Sequence, residues 1–275
     1  MLKLWIEENK LEKPDYPNKM EFYEFQEKIK ITLDIKKDIS KRVLLGLENP
    51  MRLKSRFDSL SSEEIKEYLL RSSLPDKNNQ FHPQKSMWGE IISVEILHEF
   101  REHLIPFYRL RHKEKKDQAM RGEADVVTCY LGDNPLIIAF TEVKTKGDIK
   151  KTGFYEYKKE IIKAEEELLK DNVDKPEILE HIHKILYHDD KNNLFEKFDE
   201  SIKNPDNYEK EFHIFMIIEK NRWGDQIIDF FKEKSTVLPN LTINIVLIDS
   251  LDDLIDETYE MILNIAEDVI NDFEE

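Results

Sequence analysis

Two carboxylates and one ammonium near the middle of this chain are spaced for chemistry. Asp125 stands in the segment ADVVTCYL, and Glu142 and Lys144 stand in PLIIAFTEVK. Between the segments lies Leu131-Gly132-Asp133-Asn134-Pro135, a strong turn signal. With the turn between Asp133 and Asn134, residues whose numbers sum to 267 face one another across a hairpin, and Asp125 and Glu142 satisfy that sum. Such cross-strand neighbours hold their Cβ atoms roughly 4.5–5.5 Å apart. Glu142 and Lys144 are two apart on one strand, so their side chains leave the same face. Adjacent carboxylates raise each other's pKa unless a cation is present. Mg²⁺ meets that need, because it takes one or two carboxylates together with substrate phosphate and water. A charged lysine beside such an ion is no ligand. It can orient or help deprotonate an attacking water, or stabilise charge on a phosphate. The chemistry to which this set points is phosphodiester hydrolysis.

The plain alternative is a surface ion pair on an edge strand, with Asp125 as a turn residue, and a bare E-x-K triplet would favour it. Three features favour chemistry. The run at 136–140 is wholly apolar, as a central strand requires. The aspartate sits at the matching end of the neighbouring strand. A helix bearing Glu90 directly precedes the sheet.

The elements that must position these residues follow from patterning. SMWGEIISVEILHEFREHL carries Trp88, Ile91, Ile92, Ile96, Leu97 and Phe100 mainly at helical spacing. IPFYRLRHKEKK alternates weakly and reads as a strand before the hairpin. After Gly147 the pattern returns to helix, EYKKEIIKAEEELLKD. Two further strands, FHIFMIIE and LTINIVLID, are each followed by a helical pattern. The final helix places Leu251, Leu254, Ile255, Tyr259, Ile262, Ala266, Val269 and Phe273 on one stripe, a core-facing side. Residues 1–80 read as a small N-terminal unit. In it Ser61-Ser62-Glu63-Glu64 has the form of a capping box, and 74–79 make a linker. Residues 81–275 then form the main domain. The fold class expected is α/β, a mixed central sheet flanked by helices with a small N-terminal domain.

Composition excludes several classes. Of 275 residues, 58 are acidic and 42 are Lys or Arg, a net charge of −16, which argues against tight nucleic-acid binding by the whole surface. The charge is uneven: residues 1–80 net +1, residues 101–159 net +4, and the last 25 carry ten acids and no Lys or Arg. A lone cysteine, Cys129, excludes a disulfide framework and a cysteine zinc site. No apolar run approaches a membrane span, no signal-peptide core is present, and seven glycines include no phosphate-cradling P-loop. A soluble, cytoplasmic protein without its own motor is expected.

Taken together, an acidic helix residue, an aspartate and a short hairpin into E-x-K resemble the PD-(D/E)XK nucleases of the restriction-endonuclease-like fold. Trp88-Gly89-Glu90-Ile91-Ile92 is similar to that family's first-helix glutamate segment, Ala124-Asp125-Val126-Val127 to its metal aspartate, and Phe140-Thr141-Glu142-Val143-Lys144 to its E-x-K. The order and spacing over about 81–275, after a variable N-terminal unit, look more narrowly like the nuclease subunit of the Hachiman anti-phage system. The resemblance implies a metal-dependent deoxyribonuclease that works on DNA with a superfamily 2 helicase. Asp125 and Glu142 would hold Mg²⁺ (or Mn²⁺), Val143 would offer its carbonyl, Glu90 would be an accessory metal or water ligand, and Lys144 would activate water. Residues 1–80 would dock the partner. No glutamine occurs between Lys146 and Lys163, so the Q-x-x-x-Y element of RecB-like nucleases is absent. The competing class is a non-catalytic adaptor that keeps a nuclease-like fold to bind a partner or DNA ends. An RNase of the same fold is a third.

Other features carry less. His181, His183 and His188-Asp189-Asp190 suggest a second metal set, but residues two apart on a helix do not share a face. Cys129, mid-strand among apolar residues, reads as a buried structural thiol. The basic run Arg109, Arg111, Lys113, Lys115, Lys116 and Arg121 reads as a solvated edge before it reads as a phosphate track. Tyr155 and Tyr157 among Lys150, Lys151, Lys158 and Lys159 suit base stacking or an ordinary amphipathic helix start equally.

Overall fold

The most continuous apolar runs of the chain become its central strands. The computed structural model describes residues 1–11, 21–57, 59–79, 82–112, 124–131, 136–146, 153–172, 180, 182–186, 194–204, 208–224 and 236–272. In it, β1 (Ile6–Lys10), β2 (Glu21–Glu27), β3 (Val126–Leu131), β4 (Leu136–Lys146), β5 (Tyr208–Glu219) and β6 (Leu241–Ile248) form one sheet in the order β1-β2-β6-β5-β4-β3. β2, β6, β5 and β4 run parallel, and β1 and β3 pair antiparallel at the two edges. Parallel strands are covered on both faces, so β5 and β6 read as near-unbroken hydrophobic runs rather than as alternating ones.

Among the described residues, eight α-helices cover the two faces. These are α1 (Leu2–Trp5), α2 (Leu33–Leu47), α3 (Pro50–Phe57), α4 (Ser62–Tyr68), α5 (Pro83–Arg101), α6 (Gly153–Asn172) and α7 (Leu194–Lys203), and an eighth, α8 (Leu251–Asn271), closes the described chain. One face packs under α2, α5 and α8: Val126, Val143, Phe215, Ile217, Val246 and Ile248 point into a core shared with Leu44, Trp88, Ile92 and Ile262. The other packs under α6 and α7: Val127, Cys129, Ile138, Phe140, Ile214 and Ile243 meet Tyr157, Ile161, Leu168 and Phe198. Each fully buried Ile, Leu or Phe contributes about 1.5–3 kcal/mol before entropy is counted. The odd–even alternation along each strand therefore assigns every polar residue to one face or the other.

Several local expectations hold. Ser61 accepts from the Glu64 amide while Glu64 accepts from the Ser61 amide, the reciprocal cap that starts α4. The stripe of α8 is buried from Leu251 through Val269, and Phe273 lies outside the described residues. The mixed α/β sheet flanked by helices is as expected. Among the described residues no helix is long and apolar enough to cross a membrane.

Two expectations give way. The strand expected over 105–116 is not formed in its described part. Leu104 makes a single antiparallel bridge to Cys129, and Arg109–His112 is a 3₁₀ turn. Arg109 and Arg111 do not alternate into solvent: their guanidinium groups donate to the Ala124 and Leu45 carbonyls. Residues 1–80, read as a small unit, extend the main sheet instead. β2 pairs parallel with β6, and Leu2, Phe25, Leu44 and Leu69 share the core of α5 and α8. IEENK and EFYEFQE are short edge-side segments whose strand character depends on β6, more than two hundred residues later.

Candidate active site

The hairpin has the register that its turn dictates. Val126 faces Thr141, and each later pair keeps the same sum, down to Leu131 opposite Leu136. Residues 132–135 of the turn lie outside the described residues. Asp125 stands one step before β3, opposite Glu142, and its Oδ2 accepts from the Val143 amide at 2.9 Å. Glu142 and Lys144 share the parity of Ile138 and Phe140, the α6 side of the sheet. Lys144 Nζ donates to Glu142 Oε1 at 2.6 Å and to Glu167 Oε2, on α6, at 2.7 Å. Glu167 belongs to none of the motifs in the sequence. Its signal was its place on the helix that follows E-x-K, one residue before the buried Leu168.

Burial sets the electrostatics. Glu142 is only 6% exposed. Burial and the nearby charge of Asp125 push its carboxyl up to about 9. Burial also raises Asp125, against the Val143 amide and the charges of Lys144 and Arg109. Burial opposes the Lys144 ammonium too, but Glu142, Glu167 and Asp125 outweigh it and hold its pKa above the ordinary lysine value. Glu167 loses some charge stability to burial yet ends below the ordinary carboxylate value, because Lys144 and Glu142 donate to it. Burial thus opposes the ionisation of both Asp125 and Glu142, while the lysine stays charged.

Two buried carboxylates whose ionisation is opposed by burial mark a position that a cation can take. Asp125 and Glu142 offer hard oxygen ligands, the donor type that suits Mg²⁺, and phosphate and water complete such a shell. Among the described residues no third Asp, Glu, His or Cys joins them at metal-site spacing. Glu90 lies on α5. It accepts from Ser86 Oγ at 3.3 Å and, with Asp125 and Arg109, lines a small cavity. Gly89, beside it, lets α5 touch the sheet: a Cβ there would lie 1.9 Å from Thr145 Oγ1 and 3.4 Å from Val143. Val143 is tied to the set through its amide. Arg109 is buried and holds the Ala124 carbonyl, so it braces the loop that carries Asp125.

The remaining candidates are structural where they are described. Cys129 is fully buried and burial pushes its thiol up to about 12. Tyr157 is fully buried in the α6 core rather than presented for stacking. Arg111 lies over the Tyr108 ring at 4.4 Å. His183 Nε2 is 3.5 Å from Asp199 on α7. His181, His188, Asp189, Asp190, Lys113, Lys115, Lys116, Arg121, Lys150 and Lys151 lie outside the described residues, as does the Tyr155 side chain.

A comparison with curated proteins gives no match. The family model described as HamA matches residues 1–262, nearly the whole chain, and it includes the N-terminal strands as well as the hairpin and the acidic set. The chain belongs to the HamA family, a component of the Hachiman anti-phage defence system.

Proposed function

We propose that this chain is a metal-dependent nuclease, the effector subunit of its defence system, and that it hydrolyses DNA phosphodiester bonds beside a superfamily 2 helicase. The observation that carries the reading is the convergence of Asp125, Glu142 and Lys144 at one end of a buried hairpin.

Asp125 and Glu142 would hold Mg²⁺ or Mn²⁺, whose bound form supplies Lewis acidity and a more acidic water. Asp125 is pre-positioned by the Val143 amide, so its carboxylate needs no reorganisation. Lys144 enters as a cation rather than as a base, since its carboxylate partners keep its proton on. It can orient water and balance charge on the phosphate. Glu167 competes with phosphate for that ammonium and holds it in place until substrate arrives. Glu90, two turns into α5, would act through the cavity that it shares with Asp125. The net charge of −16 weakens unaided DNA binding, which suits a subunit to which a motor delivers its strand. Residues 1–80 expose Leu4, Ile29, Leu33, Met51 and Leu70, an apolar supply for partner docking.

The test is cleavage of linear and nicked DNA by the chain alone and with its helicase neighbour, in Mg²⁺ and in EDTA. Mg²⁺-dependent cleavage that disappears in Glu142→Ala and Lys144→Ala, at unchanged melting temperature, is expected. Undiminished cleavage in both variants would refute the site. Partner and DNA-end binding without cleavage in any metal would establish the adaptor instead.

A further inference from the structure

A second polar set lies on the opposite face of the sheet. His103 follows the end of α5, and Glu211 and His213 stand two apart on β5, on the side of Phe215 and Ile217. Each offers a ligand atom within 4.8 Å of the other two, and His213 Nε2 is 3.6 Å from Glu211 Oε2. His103 is 3% exposed and His213 4%. None of the three belongs to the Asp125–Glu142–Lys144 set. α5, 19 residues and so about 28 Å long, has Glu90 in its first half and leads into His103 at its far end.

The outward atoms of all three are already held. His103 Nδ1 pairs with Thr128 Oγ1 at 2.7 Å. Tyr130 donates its hydroxyl to Glu211 Oε1 at 2.7 Å. His213 Nδ1 meets the Asn244 side-chain amide at 3.4 Å. A flip of that amide lets its oxygen accept from Nδ1–H, the tautomer that frees Nε2. What remains is His103 Nε2, together with Glu211 Oε2 and His213 Nε2, which lie 3.6 Å apart. His213 Nε2 is buried without a hydrogen-bond partner. A buried ring nitrogen left so costs free energy unless something binds it.

We propose that His103, Glu211 and His213 form a site for a divalent transition-metal ion of the zinc class. Two imidazoles and a carboxylate select such an ion over Mg²⁺, which prefers an all-oxygen shell. Bonds of about 2.0–2.2 Å bring tetrahedral ligands to about 3.4 Å apart, so His213 and Glu211 are already near their places and His103 closes by a small movement. Thr128, Tyr130 and Asn244 supply the outer hydrogen bonds that orient metal ligands. Three protein ligands leave a fourth position. It faces a cavity of about 640 Å³ walled by Glu21, Tyr23, Arg101, Asn240 and Thr242. The Arg101 guanidinium sits over Tyr23, 3.6 Å from its centroid, and, paired with Glu8, gives that wall a cation. The open position therefore takes water or a small anion.

The test uses the full chain, stripped with EDTA, dialysed free of chelator and titrated with Co²⁺ as a spectroscopic probe. One equivalent that develops visible d–d absorption of low-symmetry, four- or five-coordinate form, displaced by Zn²⁺, is expected. His213→Gln and Glu211→Gln should lose that absorption. Tyr130→Phe, which removes an orienting bond but no ligand, should weaken Co²⁺ binding by about 10–100-fold. Glu142→Ala should keep the full equivalent, which separates this site from the one proposed for cleavage. No absorption in the stripped wild-type chain, or the same absorption in the Gln variants, would overturn the proposal, whatever the fate of nuclease activity.

Discussion

The two faces of one sheet hold two polar sets built on opposite principles. On the α6 side, Asp125, Glu142, Lys144 and Glu167 gather three carboxylates and one ammonium, and burial opposes the ionisation of Asp125 and Glu142. On the α5 side, His103, Glu211 and His213 place two imidazole rings beside a single acid, each tied from behind by a hydroxyl or an amide. The first set is crowded with charge and suits a hard cation that leaves most of its shell to substrate. The second is rich in nitrogen and pre-oriented, and suits a softer ion held by the protein. The strands are shared: Thr141 pairs with both Val126 and His213, while its neighbour Glu142 points the other way. A single-residue alternation is what keeps the two chemistries apart.

Several measurements would break or sharpen that contrast. The largest effect is expected on the α6 side. Asp125→Ala and Glu142→Ala should each lower Mg²⁺-dependent cleavage by at least about a hundredfold in single-turnover assays, the scale of a lost preorganised electrostatic contact. Next is the seat of α5 on β4. Gly89→Ala drives a methyl into Thr145 and should cost about 1–3 kcal/mol in urea unfolding, with Thr145→Ala restoring part of it. If Gly89→Ala were neutral, the helix would not be seated on β4 as described. Glu167→Gln removes one charged hydrogen bond from Lys144, and a change in cleavage of about tenfold is expected, well short of Glu142→Ala. An effect as large as that of Glu142→Ala would make Glu167 a metal ligand.

The smallest effect concerns pH and lies away from both sets. Burial and the neighbouring Asp249 raise the Glu27 carboxyl to about 7. The folded chain then holds that proton more tightly than the unfolded chain does. The stability it contributes is complete below the ordinary glutamate range, falls as pH rises and is gone above about 7. Glu27→Gln should flatten this part of the melting-temperature profile between about pH 4.5 and 7. A decline unchanged in the variant would assign it to other groups.

The α6-side set was legible because its information is local. The turn residues, the apolar run at 136–140 and the period of two set the hairpin register within some twenty residues. Glu167 and Arg109 were not legible as part of it. One needs the pitch and docking of α6, and the other sits in a segment whose weak alternation looked like a strand but whose arginines cap carbonyls. The imidazole set left no trace in patterning. His103 and His213 are 110 positions apart, whereas the histidines at 181, 183 and 188 are close enough in sequence to look like a set.

By itself the sequence determined the elements with strong periodicity: the amphipathic α8, the capped α4, the hairpin and the buried strands β5 and β6. Their free energy comes from neighbours a few residues away or from burial on both faces, and both leave a repeating signal. Only the tertiary structure decided that β1 and β2 extend the main sheet, that α6 brings Glu167 to Lys144, and that His103 meets Glu211 and His213. Those contacts join distant segments through parallel crossovers, where partner choice follows from packing the whole core and not from any local preference.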